Sequence, residues 1–315
     1  IRPQGVNSRR NDRGRCGHAD VRYLSAMARF SLQVAHQCGD LFGRRSPIDL
    51  VDLAQKKSIC LMELNNLQIG YCQEQGTQYL SGPLTMTFQP GQLIGIVGVN
   101  GVGKSTLLRT LSGIQPPLAG EVTINHAPVA RWNAKKWSHH VALITAKHET
   151  PPVMTVREIA SMGRYPHLNW WGTLTPKDQE IVRDVLAYLG LSPWADQPAE
   201  LRSDGQKQLI HLARAIVQQT PYLLLDEPTT HLDLHHGFQL WKWLKSIAAK
   251  GDKTIILTTH DIEKALTLCD QILVMQHEKA DWGTPNTLVD SGIFDNLFDS
   301  NLVTFDPYTR QFKMR

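Results

Sequence analysis

The stretch Gly98-Val99-Asn100-Gly101-Val102-Gly103-Lys104-Ser105-Thr106 sets a glycine, four residues, and then Gly-Lys-Ser in a row. These residue types suit one chemistry. Glycines let a loop turn tightly, so that successive backbone N–H groups face one anion. A lysine adds a mobile positive charge, and a serine hydroxyl offers an oxygen ligand to a hard cation. The pattern is the phosphate-binding P-loop, in which Lys104 reaches the β- and γ-phosphates of a nucleotide and the Ser105 hydroxyl binds Mg²⁺. Gly98, Asn100, Gly101, Gly103, Lys104, Ser105 and Thr106 are the expected nucleotide-binding residues.

Three other places could complete that chemistry. Asp226 and Glu227 close the apolar run Tyr222-Leu223-Leu224-Leu225. Paired with a P-loop, Asp226 is placed to hold Mg²⁺, commonly through water, and Glu227 to orient or deprotonate the water that attacks the γ-phosphate. Without a P-loop they would read as the solvated end of a buried strand. Ser203-Asp204-Gly205-Gln206 precedes a helix expected over Leu209–Gln218, and the free N–H groups of a helix start can take an anion. Alone, this is an N-cap. Ile255-Ile256-Leu257-Thr258-Thr259-His260-Asp261 reads as another buried strand, ending in His260. Beside the P-loop strand it can hydrogen-bond a γ-phosphate; elsewhere it is a surface histidine.

The elements that must position these residues can be read from periodicity. Leu93-Ile94-Gly95-Ile96-Val97 predicts a buried strand, and Leu107, Leu108 and Leu111 recur at helical spacing. The context is strand, glycine loop, helix. Downstream, strands and helices alternate with short connections, the pattern of an α/β domain. The stretch from about Thr155 to Pro198 differs. Its helical patterns, Val156–Met162 and Lys177–Leu189, are separated by Pro166, Gly172 and Pro176. It reads as a helical insertion in the α/β core.

Composition narrows the class. Of 315 residues, 42% are hydrophobic and 20% charged, as in ordinary globular proteins. No apolar run approaches the ~18 residues of a membrane span, and no segment near the start has a signal peptide's order. The net charge of +4 is uneven: residues 1–61 hold 11 basic and 5 acidic side chains, and the remainder 22 and 24. A slightly acidic main part does not point to nucleic acid. After Cys60 only Cys72 and Cys269 follow, without metal-ligand spacing. The first 61 residues form a basic, poorly patterned extension with one weak helical pattern over Val21–Val34. Met62-Glu63-Leu64-Asn65 leads into a strand. Met62 is the expected native start, with 1–61 as upstream sequence translated in frame; the alternative is a disordered basic arm.

The P-loop, Ser203-Asp204-Gly205-Gln206, Leu223-Leu224-Leu225-Asp226-Glu227-Pro228, His231-Leu232-Asp233 and His260 occur in the order and spacing of ABC-type ATPases, and the chain resembles that family over essentially residues 62–315. The resemblance implies an α/β P-loop NTPase core with an antiparallel β subdomain and an inserted helical subdomain at about 148–205. It implies ATP and Mg²⁺, Tyr71 as the aromatic that stacks on adenine, and Glu227, His260 and Lys104 as catalytic. It also implies a head-to-tail homodimer in which each ATP lies between one P-loop and the other subunit's Ser203–Gln206 helix, with Asp233 acting across the interface. Integral membrane permease subunits would be partners, and an extracytoplasmic substrate-binding protein an indirect one. The place would be the cytoplasmic face of the bacterial inner membrane.

Met154-Thr155-Val156-Arg157-Glu158 with Met162-Gly163-Arg164-Tyr165-Pro166-His167, and Gly283-Thr284-Pro285 near the end, resemble the ATPases of iron–siderophore, haem and vitamin B12 importers. An importer ATPase for another substrate, or a nucleotide-gated interaction protein with little turnover, are the alternatives. Two departures keep the last one open. Ala146, followed by Lys147, stands where the family usually has a Gln that contacts Mg²⁺. Arg202 stands where an apolar Leu normally packs, so its charge must reach water or a partner.

Overall fold

A computed structural model describes residues 60–314 except 74–75, 147–149, 152, 231, 252, 278 and 298–301. The chain divides into Ile1–Asp49 and Leu50–Arg315, and the described residues all belong to the second unit. All of the basic extension except Cys60 and Leu61 lies outside them, with the helical pattern over Val21–Val34, and so do Lys147 and His231.

In chain order the strands are β1 (Met62–Gln73), β2 (Gly76–Phe88), β3 (Leu93–Gly98), β4 (Ala119–Ile124), β5 (Ala127–Pro128), β6 (Val141–Ile144), β7 (Tyr222–Leu225), β8 (Thr254–Thr258), β9 (Gln271–Gln276), β10 (Lys279–Gly283), β11 (Val303–Asp306) and β12 (Gln311–Met314). The helices are α1 (Lys104–Leu111), α2 (Ala134–Ser138), α3 (Val156–Ser161), α4 (Pro176–Tyr188), α5 (Asp204–Val217), α6 (Leu234–Ala248), α7 (Ile262–Leu268) and α8 (Pro285–Asp290). The central sheet has the order β10-β9-β3-β8-β7-β6. β9, β3, β8, β7 and β6 are mutually parallel, and β10 pairs antiparallel at the edge. Residues of β3, β7 and β8 are buried throughout, as parallel strands covered on both faces require.

Period-two alternation splits the core. Tyr222 and Leu224 of β7, with Ile94, Ile96, Ile256, Leu273 and Met275, face α1 and the antiparallel sheet β2-β1-β4-β5. Leu223 and Leu225, with Ile255, Leu257, Ile272 and Val274, face the helical layer on the other side. No helix among the described residues is long and apolar enough to cross a membrane.

Between β6 and β7 lie α3, a 3₁₀ segment Met162–His167, α4 and α5. Thr155 and Thr175 each close a capping box at the start of α3 and α4, which defines both helix starts. Pro176, read above as a separator, stands at the first position of α4, where its missing N–H costs nothing. The segment is fastened internally by Arg164. Its Nε donates to Asp178 Oδ1 at 2.8 Å, and one guanidinium nitrogen donates to the Val217 carbonyl and to Gln219 Oε1, each at 2.9 Å.

One further tie joins β7 to the chain before β1. The Tyr222 hydroxyl donates to the Cys60 carbonyl at 2.6 Å, in a buried setting. Burial pushes this phenol well above its usual range, aided by the neighbouring Cys60. Tyr222→Phe keeps the ring and leaves the carbonyl unsatisfied, so a loss of about 1–3 kcal/mol in denaturant unfolding is expected. No measurable loss would show that water replaces the hydroxyl.

Candidate active site

The P-loop is assembled where β3 ends against β9. Gly98 sits at φ 149°, and a Cβ there would lie 2.2 Å from the Met275 carbonyl oxygen. Gly103 caps α1 at φ 106° without any side-chain hydrogen bond. The first N–H groups of α1 thus have no side-chain cap, which is the arrangement that binds phosphate. Lys104 is only 6% exposed. Its Nζ donates to the carbonyls of Gly98 at 2.8 Å and Val99 at 3.0 Å. Burial pulls its ammonium below the usual lysine range, against the charges of Glu227 and Asp226, which favour the cation.

Asp226 and Glu227 meet the P-loop from the end of β7. Ser105 Oγ donates to Asp226 Oδ1 at 3.0 Å, and Thr258 Oγ1 donates to the same oxygen at 2.7 Å. Asp226 is 7% exposed, and among the described residues it has no ion pair within 4 Å. A buried carboxylate beside a serine hydroxyl is an all-oxygen donor set, which suits Mg²⁺. Glu227 turns to φ 49°, a left-handed conformation uncommon outside glycine. Its N–H donates to Thr258 Oγ1 at 2.8 Å. Its carboxylate accepts from His260 Nε2 at 2.7 Å and from Thr230 Oγ1 at 3.3 Å. A carboxylate only accepts, so the imidazole proton on this bond belongs to Nε2. His260 reaches Glu227 because β8 lies next to β7 in the sheet.

Lys104, Ser105, Asp226, Glu227 and His260 thus form one constellation, and the Asp226 carboxylate and the Glu227 backbone N–H both meet the hydroxyl of Thr258, a residue to which the motifs assign no role. One of two successive threonines at the end of an apolar strand carries no signal in sequence; only strand pairing brings the Thr258 hydroxyl to both acidic residues. Tyr71 stands slightly apart, partly exposed, with its hydroxyl 2.8 Å from Thr106 Oγ1. Asn100 and Gly101 lie exposed in the loop.

The Ser203–Gln206 segment is not joined to this cluster. Among the described residues no hydrogen bond links it to the P-loop. Ser203 and Gln206 make a reciprocal capping box, with bonds of 3.3 and 3.2 Å. That box starts α5 at Asp204, five residues before the apolar spacing alone suggested. Gly205 faces Leu232, whose side chain would lie 3.2 Å from a Cβ there. Next to Leu232, Asp233 caps α6, accepting from the His236 N–H at 2.8 Å. The His236 ring and backbone pull the Asp233 carboxyl below the usual range. The Arg202 guanidinium lies 5.8 Å from the centre of the Trp194 ring, while its Nε is buried with no hydrogen-bond partner among the described residues. Ala146 is exposed.

Residues 82–230 match the family model described as ABC transporter. Over 253 residues the chain is 31% identical to the iron(3+)-hydroxamate import ATP-binding protein FhuC of Bacillus subtilis, covering 79% of this chain and 92% of that protein. It is 33% identical over 225 residues to the cobalamin import ATP-binding protein BtuD of Halobacterium salinarum, covering 71% of this chain and 56% of that one. A solved inward-facing ABC transporter assigned to the metal-chelate type matches with a TM-score of 0.66 at 26% identity, covering 76% of this chain and 89% of that one. With its P-loop, paired acids and histidine in one cluster, and with relatives matched over most of their length, the chain belongs to the ABC transporter family, as one of its ATP-binding, ATP-hydrolysing subunits.

Proposed function

We propose that this chain energises import of a chelated metal, an iron–siderophore complex, haem or cobalamin, through membrane permease subunits, working as a homodimer at the cytoplasmic face of the membrane. An extracytoplasmic binding protein would deliver the substrate. The observation that carries the catalytic part is the cluster in which Ser105 and Asp226 share a hydrogen bond while Glu227, one residue on, is held by His260. The relatives' import activities support the substrate class.

In this reading the loop amides from Gly98 to Thr106 and the Lys104 ammonium surround the β- and γ-phosphates, and Tyr71 stacks on adenine. Lys104 leaves the carbonyls of Gly98 and Val99 for the phosphates, which exchanges two neutral acceptors for anionic ones. Ser105 and Asp226 would hold Mg²⁺, which when bound neutralises charge on the phosphates. Glu227 takes the proton of the attacking water, and His260 holds that carboxylate in place until its Nε2 proton turns to hydrogen-bond the γ-phosphate. The partner copy would supply its Ser203, Gly205, Gln206 and Asp233 across the dimer interface. The domain with this function would run over 62–315, with its helical part at about 148–205.

The test is uptake by cells lacking this chain, with iron-loaded hydroxamate, haem and cobalamin as separate labelled substrates. Loss of one uptake, restored by the wild-type chain, is the expected result. Normal uptake of all three would remove the substrate proposal and leave the ATPase.

A further inference from the structure

Both acids of the proposed catalytic pair are tied to one hydroxyl on the neighbouring strand. Thr258 ends β8 and is fully buried. Its Oγ1 donates to Asp226 Oδ1 at 2.7 Å and accepts from the Glu227 N–H at 2.8 Å. A hydroxyl has one proton to give. These two bonds therefore set its rotor: the proton goes to the carboxylate and a lone pair takes the amide.

Strand register explains the position. β7 and β8 run parallel with Leu225 opposite Leu257, so Thr258 stands one step beyond the last pair. There Glu227 turns to φ 49° and leaves the ladder. The Thr258 hydroxyl takes up the amide that this turn frees from the sheet. The preceding residues Ile255, Ile256 and Leu257 are purely apolar, so a valine would serve packing equally well. What threonine adds is the bridge between the two acidic residues.

We infer that Thr258 is a positioning residue for ATP hydrolysis: it holds the Asp226 carboxylate toward Ser105 and pins the Glu227 backbone, so that the cation-holding and water-activating carboxylates keep a set separation. The inference rests on the roles proposed above for Asp226 and Glu227. Ser105 is itself a proposed cation ligand, so its bond to Asp226 is the one a cation rearranges. The Thr258 bond is the one that persists.

The experiment compares Thr258→Val, which keeps the shape and removes the hydroxyl, with Thr258→Ser, which keeps the hydroxyl, in the full chain. Turnover is measured against Mg²⁺ concentration, and ATP affinity by equilibrium binding with Mg²⁺ and with EDTA. For valine, kcat is expected to fall about 10-fold or more, since small misplacements of reacting groups cost this much or more. The Mg²⁺ needed for half-maximal rate should rise severalfold, and the tightening of ATP by Mg²⁺ should shrink, while ATP binding in EDTA stays unchanged. Serine should restore most of each. A valine variant with wild-type rate and Mg²⁺ dependence would overturn the inference. So would equal losses of ATP binding in EDTA and in Mg²⁺, which would mark Thr258 as a packing residue. Glu227→Gln run in parallel separates the two levels. If it loses turnover while valine is silent, only the role of Thr258 fails; if it keeps turnover, the reading of the acids fails first.

Discussion

Glu227→Gln is expected to lower ATP turnover by about 10²–10⁴-fold, the range a positioned general base supplies, while ATP still binds. That corresponds to about 3–5 kcal/mol of barrier. The expectation follows from geometry. The Glu227 backbone is anchored by Thr258 at 2.8 Å, and its carboxylate is aimed by His260 at 2.7 Å. Glutamine has the same shape and keeps an oxygen that accepts from His260 Nε2, so the site stays assembled. What is lost is the ability to take a proton. One negative charge also leaves the neighbourhood of Asp226, which favours an incoming polyphosphate. Binding and turnover should therefore separate: equilibrium ATP binding in Mg²⁺ unchanged or tighter, and phosphate release slowed by about 10²-fold or more. Turnover within tenfold of wild type would remove Glu227 from the role of base.

The largest effect on stability is expected at Arg164. Arg164→Met should destabilise the protein by about 3–5 kcal/mol, the cost of breaking a buried ion pair by removing one partner. Both side chains of the Arg164–Asp178 pair are 7% exposed, so water cannot replace the missing guanidinium. The loss also strands the Val217 carbonyl and Gln219 Oε1, which share one of its nitrogens. The effect should depend on pH. Burial opposes charge on Asp178, but hydrogen bonds from Thr175 and the Arg164 guanidinium outweigh it and hold the carboxyl below its usual range. A depressed folded-state value adds stability that is complete above the unfolded carboxyl value of about 4 and is lost as pH falls through the folded one. Wild type and Arg164→Met should thus differ fully at pH 7 and converge in strong acid. Urea melts at pH 7 and near pH 3 measure this; a difference independent of pH would mean that lost packing, not lost charge, is the cause.

Much of this protein was legible in the chain because the responsible forces are local or periodic. The stretches 93–97, 222–227 and 255–260 read as buried strands, since parallel strands covered on both faces need apolar residues at every position; the last two strands end earlier, at Leu225 and Thr258, where the apolar residues give out. The alternation of strands and helices implied an α/β core, and the sheet β10-β9-β3-β8-β7-β6 has that form. The glycine spacing of the P-loop carries its own backbone requirement, met at Gly98 and Gly103. Helix starts were less legible. Ser203 with Gln206 set the first turn of α5 through hydrogen bonds rather than apolar spacing.

By itself, then, the sequence determined which segments are buried strands and which loop needs glycine's backbone freedom, because burial and backbone freedom are properties of residue type and spacing. Only the tertiary structure decided which side chains meet. Asp226 lies 121 residues from Ser105 and 32 from Thr258. No local preference links such positions; they touch because β3, β8 and β7 are neighbours in one sheet and end at the same edge. In the same way, only packing placed the Arg202 guanidinium over Trp194 and buried Arg164 against Asp178. A charge has no preferred partner until the fold removes water from around it.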